Sequence, residues 1–168
     1  MKHTSEGGNY KDKPNNIMIW HPVEKEGTLF EIYDINDRAE LPRSPIELAL
    51  PQLNALLTWA GVCFRLEAVH PLYLISIFAF EFLKIYPFND GNGRTVRTLI
   101  ILMLIQRGYD FPEYASLERY FEAHRKLKFD CLSTPRIRNW IVFILSCLDA
   151  IGLELELQAG VESKVAIN

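Results

Sequence analysis

Cysteine is scarce in this chain of 168 residues, with only Cys63, Cys131 and Cys147 present. They are odd in number and widely spaced, with no C-x-x-C pair and no zinc-ligand pattern. A disulfide framework and a cysteine metal site are thereby excluded, and a reducing compartment is expected. Cys147 lies within an apolar run, where a buried thiol is expected. Histidine is also sparse. His21, His70 and His124 are scattered without metal-ligand spacing, and His70 before Pro71 reads as a helix start. Long apolar runs are missing too. No stretch reaches ~18 uninterrupted apolar residues, and the greasiest, Leu72 to Phe80, stops at Glu81. Lys2 is followed by Thr4, Ser5, Glu6, Gly7 and Gly8 with no apolar leader, so a cytoplasmic location and no membrane partner are expected. Excess positive charge is absent, since the net charge is −3 and the pI about 5.8. Non-specific nucleic-acid binding runs on surplus Lys and Arg, so no nucleic-acid partner is expected.

What is present suits one folded domain. Hydrophobic residues make up 49% and charged residues 23%, enough for a sizeable core and far from a disordered composition. Residues 1–16 form a polar lead-in. Ile17-Met18-Ile19-Trp20 and Leu29-Phe30-Glu31-Ile32-Tyr33 are β-prone runs around a polar stretch ending at Gly27, which predicts a β-hairpin over about 17–35. A helical core is expected over about 44–158, within a domain spanning 17–158. Ser44-Pro45 with Glu47 predicts a capped helix, and Gly61 its stop. A second helix, apolar nearly all round, is predicted from His70-Pro71 to Tyr86, where Pro87 ends it. A third runs from about Arg94 to Arg107 and stops at Gly108. A fourth starts at Ser116 and a fifth at Thr134-Pro135, its stripe from Ile137 to Leu148 read as core. The tail, 159–168, is expected to fray. The fold class is all-α with an appended β-hairpin.

The informative segment is Tyr86-Pro87-Phe88-Asn89-Asp90-Gly91-Asn92-Gly93-Arg94-Thr95-Val96-Arg97. It joins two apolar helices through a short loop holding two glycines. Glycine reaches positive φ and lets backbone amides turn toward one point. Amides followed by a helix N-terminus make a seat for anions. Arg94 and Arg97, three apart at that N-terminus, lie near one face. Two cations there are unfavourable unless an anion joins them, and the chemistry asks for a polyphosphate. Asp90 adds one hard carboxylate, and a single carboxylate with phosphate oxygens and waters suits Mg²⁺. No Gly-Lys-Ser/Thr follows, so this is not a Walker A loop. The plainer alternative is a tight turn between helices. Glu118-Arg119 reads as a solvated or ion-paired face of little energetic weight.

The segment resembles the motif of Fic domains, His-Pro-Phe-x-Asp/Glu-Gly-Asn-Gly-Arg-x-x-Arg. It agrees at Pro87, Phe88, Asp90, Gly91, Asn92, Gly93, Arg94 and Arg97. Asn9-Tyr10-Lys11 with Pro14-Asn15, the hairpin, His70-Pro71 and Ser116 to Tyr120 extend the resemblance over roughly residues 8–150. The resemblance implies an all-α Fic bundle with a β-hairpin flap, and transfer of AMP from ATP to a hydroxyl side chain of a target protein. It implies that Asp90 holds Mg²⁺, that Gly91, Asn92 and Gly93 cradle the α- and β-phosphates, and that Arg94 and Arg97 hold the β/γ end. The hairpin would pin the target protein by strand addition.

One position departs from the pattern. The motif begins with a histidine, the general base for the target hydroxyl, and this chain has Tyr86. Imidazole has a pKa near 6.5 and phenol near 10, so roughly one phenol in 10³ is ionised at neutral pH. General-base catalysis contributes about 10²–10⁴-fold. Transfer is therefore expected to be crippled with phosphate binding largely kept, unless Arg94 and Arg97 lower the phenol's pKa. Three further alternatives are that Tyr86 itself accepts AMP, that it packs on Phe88, or that one C-to-T codon change inactivated a toxic enzyme. The family's inhibitory pattern, Ser/Thr-x-x-x-Glu-Gly/Asn, is not seen. Glu6-Gly7 has Lys2 in the Ser/Thr place, and Glu154, Glu156 and Glu162 precede Leu, Leu and Ser. A separate antitoxin-like inhibitor, a fragment of a longer protein that lacks the inhibitory helix, or an inactive domain that needs none would account for that. Two rival functions stay open: a nucleotide-regulated protein-binding module without catalysis, and transfer of another phosphate-containing group such as phosphate, phosphocholine or UMP.

Overall fold

The structure, a computed structural model, describes residues 9–15, 17–23, 32–41, 43–109, 116–134 and 136–165. Its centre is helix α2, Pro71–Ile85. Pro71 sits at the first helical position, where its missing N–H costs nothing, and His70 Nδ1 accepts from the Leu72 amide (3.4 Å). Leu74, Ile75, Phe78, Ala79, Phe80, Phe82, Leu83 and Ile85 are all buried. A helix apolar on nearly every side must be covered on nearly every side. The cover comes from α1 (Ile46–Leu66), α3 (Asn92–Gln106) and α6 (Ile137–Val165). Trp140 of α6, fully buried, donates its indole N–H to the Ser76 carbonyl of α2 (2.9 Å). Around it lie the rings of Phe80, Phe121 and Phe143.

Before the bundle, β1 (Ile17–Val23) pairs antiparallel with β2 (Ile32–Leu41) from Ile17↔Leu41 to Val23↔Ile32, with a shift in register between Trp20 and Pro22. The second strand runs through to Leu41, beyond the predicted limit near Tyr33. The predicted strand residues 29–31 and the intervening turn lie outside the described residues. Between the strands and the bundle, α1 outruns its predicted stop and passes through Pro51 and Gly61 to end at Glu67 in the left-handed region (φ 50°). The last turn is held from outside. Arg107 bonds the Phe64 carbonyl and Glu67 Oε1 (2.8 Å) and stacks over the Phe64 ring. The predicted fourth helix is two, α4 (Leu117–Ala123) and α5 (Arg125–Ser133), broken at His124, whose Nδ1 meets the Tyr120 carbonyl (3.0 Å). The start expected at Ser116 holds, and the Ser116 side chain caps α4 by accepting from the Arg119 amide. Among the described residues no helix is long and apolar enough to cross a membrane.

Candidate active site

The loop between α2 and α3 is built by two left-handed residues and one buried side chain. Tyr86 closes α2 with φ 52° and ψ 62°, its amide still donating to the Phe82 carbonyl (2.9 Å). A bulky non-glycine residue there is strained by about 1–3 kcal/mol, and such strain clusters at functional sites. Gly91 opens α3 at φ 83°, where conformation rather than space calls for glycine. Gly93 is different. It is helical, so the positive φ expected of both glycines holds only for Gly91. Between them Asn92, 1% exposed, folds back on the loop. Its Oδ1 accepts from the Phe88 amide (2.9 Å) and its Nδ2 donates to the Phe88 carbonyl (2.7 Å). The Asn92 side chain therefore shapes the loop. What Asn92 leaves free at this end of the helix is its backbone amide. Thr95 donates to the Gly91 carbonyl (2.8 Å) and closes the first turn. The amides of Asn92, Gly93 and Arg94 precede that bond, at the open end of the helix.

A strap from the start of the chain fixes the loop from behind. The Lys11 amide donates to the Pro87 carbonyl (2.9 Å), and the Asn89 amide to the Asn9 carbonyl (3.1 Å). Tyr10 bridges to Phe88 and stacks on its ring at 5.5 Å. Asn15 Nδ2 gives the Phe88 carbonyl a second donor (2.6 Å). Lys11, 5% exposed, sends its ammonium to the carbonyls of Ile85 (3.0 Å) and Ser44 (2.5 Å). That places a cation at the negative end of α2, where the helix dipole favours it. Burial lowers the Lys11 pKa, with Arg43 adding to the effect.

The charged motif residues have separate partners. Arg94 is exposed and pairs with Asp90 (3.2 Å). Arg97, 13% exposed, points inward and pairs with Glu118 of α4 (2.7 Å). Of the two readings open for Glu118-Arg119, the ion-paired one holds, Glu118 with the motif arginine and Arg119 with Glu154 (3.3 Å). Tyr86, Gly93 and Arg97 line one small cavity of about 110 Å³ together with Lys128 of α5. The cation over the Tyr86 ring is Arg43, its guanidinium carbon 5.8 Å from the centroid. Burial pushes the Tyr86 phenol above its usual pKa; Arg43 opposes this and Asp90 adds to it. Burial likewise brings Arg43 down to about 10. The lowering of the phenol's pKa considered for Arg94 and Arg97 does not occur. Phe88 stacks on Tyr10 and contacts Phe82.

Arg43, Asn15, Lys11 and Lys128 are the site residues that sequence reasoning missed. Asn15 and Lys11 lay in a stretch noted for its resemblance, without a role. Arg43 and Lys128 carry no local signal, because each reaches the site from an element distant in sequence.

The Fic/DOC family profile matches residues 1–104, which include the whole loop. This chain belongs to the Fic/DOC family. Curated relatives agree with it. Protein adenylyltransferase Fic of Nematostella vectensis is 29% identical over 110 residues, covering 65% of this chain and 24% of that protein. Its namesake in Drosophila erecta is 27% identical over 132 residues, covering 79% and 26%. That of Culex quinquefasciatus is 32% identical over 84 residues, covering 48% and 16%. The chain thus spans about a quarter, or less, of the length of these relatives. For a Fic/DOC domain the metal question has a physical form. Among the described residues no group of three or more His, Cys, Asp or Glu could cage an ion. Asp90 offers one exposed carboxylate, a donor set that fits Mg²⁺ sharing phosphate oxygens and waters.

Proposed function

We propose that this chain is an AMP-transfer domain that binds Mg-ATP at the Asp90–Arg97 loop and is crippled in transfer by Tyr86. The observation that carries the reading is the loop itself. Asn92 and the strap hold the backbone so that the first amides of α3 open beside Arg97 and Asp90. Glycine at 93 keeps that helix end bare of side chain, which suits close approach by a phosphate. Asp90 would hold Mg²⁺, which supplies charge neutralisation to the phosphates. Arg94 and Arg97 would exchange their carboxylate partners for phosphate oxygens.

Transfer forms a bond from the target hydroxyl oxygen to the α-phosphorus and breaks the bond to the leaving pyrophosphate. The hydroxyl proton needs an acceptor. At position 86 that acceptor is a phenol that burial holds in its neutral, protonated form. A protonated phenol can donate a hydrogen bond but cannot take the proton. The same observation favours a second reading, a nucleotide-regulated binding module in which donor binding persists without turnover. The β1–β2 pair would serve as the flap that receives a target segment by strand addition. An antiparallel two-stranded pair leaves an unpaired edge on each strand, which supports this role.

Titration calorimetry with Mg-ATP tests the donor site. Binding by the chain as it stands, lost on Arg97→Ala, is the expected result. Failure of the unaltered chain to bind Mg-ATP would overturn the donor site and both readings that use it.

A further inference from the structure

Behind the loop, the cavity shared by Tyr86, Gly93 and Arg97 is closed by a second cation. Lys128 comes from α5, on the far side of His124 from Glu118. Its side chain is 13% exposed, the same as that of Arg97. Its ammonium lies over two rings, 5.0 Å from the Phe129 centroid and 5.8 Å from that of Phe121. The nearest carboxylate is Glu122, at 3.8 Å and half-exposed, a loose pair that screening weakens. Burial lowers the lysine's pKa, Glu122 opposes this, and Arg125 and Arg97 add to it. Two cations sheltered around one cavity repel each other, and a shared anion turns that repulsion into attraction. The cavity, about 110 Å³, is several times the ~30 Å³ share of one water. That volume is on the scale of a phosphoryl group rather than of a nucleoside.

We propose that Lys128 is a further donor-binding residue, a cation that seats a phosphoryl group of the nucleotide together with Arg97 in the cavity beside Gly93. The inference rests on the donor site proposed above. It goes beyond the motif, since Lys128 lies 31 residues after Arg97 on another helix.

The test is calorimetry on the full chain with Mg-ATP, adenosine and inorganic tripolyphosphate, comparing Lys128 with Lys128→Met and Lys128→Arg. Methionine is unbranched and of similar reach, fills the space beside Phe121 and Phe129 with apolar atoms and removes the charge. The expected result is Mg-ATP affinity about ten-fold weaker in the methionine variant, as for loss of a charge-assisted contact. The arginine variant should recover most of it, and adenosine affinity should not move. Mg-ATP affinity within two-fold of the unaltered chain, or equal losses for adenosine and ATP, would make Lys128 a packing residue and overturn the proposal. Tripolyphosphate separates this inference from the one beneath it. Lys128-dependent binding of tripolyphosphate without binding of ATP would keep the anion seat and sink the ATP site. Binding of neither would sink both. Should the methionine variant fail to fold, amine labelling of the unaltered chain gives the same answer. Mg-ATP should shield Lys128, and equal labelling with and without it contradicts the proposal.

Discussion

Asn92 decides the shape of the loop more than either glycine beside it. Its amide meets both backbone groups of Phe88, and nothing else on the side chain is exposed to solvent. Asn92→Ala removes both bonds and strands a buried donor. The Phe88 carbonyl keeps Asn15 as a donor, so the Phe88 amide is the group left unsatisfied, and at about 1–3 kcal/mol for such a group the variant should lose about that much stability, read from chemical denaturation. A loss below 1 kcal/mol would mean that the strap alone holds the turn. The identity of the motif residues was legible from their order, down to the mismatch at Tyr86. Their partners were not. Whether Asn92 faces a ligand or its own loop depends on the turn taken at Phe88. Whether Arg97 meets Asp90 or Glu118 depends on where α4 returns, and no local pattern encodes that.

Among the elements, the strap of residues 9–15 is the one that sequence alone undervalued. A polar stretch rich in Lys and Asn reads as a lead-in because polar residues usually face water. Here their polarity is spent on the backbone groups of the loop and on the end of α2. Lys11→Met should release it. Amide exchange at Lys11 and Asn89, whose N–H groups bond Pro87 and Asn9, should quicken about ten-fold or more, while exchange in the middle of α2 stays unchanged. Equal protection in the variant would show that the Tyr10–Phe88 stack suffices. The helices themselves were well marked where one physical rule dominated. Pro71, Pro87 and Gly108 bound α2 and α3 as expected, and Ser116 caps α4. Gly61 failed as a stop because Arg107 anchors the turn beyond it, a contact across 43 residues. The break at His124 lacks a Gly or Pro to announce it.

At the scale of the whole molecule, α2 is the axis on which the core and the site both hang. The same burial that makes it central silences the two thiols near its neighbours. Burial, with Cys131 adding to it, pushes the Cys147 thiol up to about 11 from an ordinary 9.0. A folded-state pKa above the unfolded one means that the folded chain holds its proton longer. That contribution is intact below pH 9 and lost as pH rises toward 11, at most about 2–3 kcal/mol. Stability measured by denaturation should therefore fall over that window, and Cys147→Ala should flatten the fall. An equal slope in the variant would assign it to Tyr86 and Tyr120, whose pKa values are also raised. The central claim is that the scaffold can transfer AMP and that position 86 has switched it off. Label transfer from α-³²P-ATP with Mg²⁺ into lysate proteins, by this chain and by Tyr86→His side by side, tests it most directly. The account predicts labelling by the histidine variant at least about 10²-fold above the tyrosine chain. Equal labelling by both, or none by either, would contradict it.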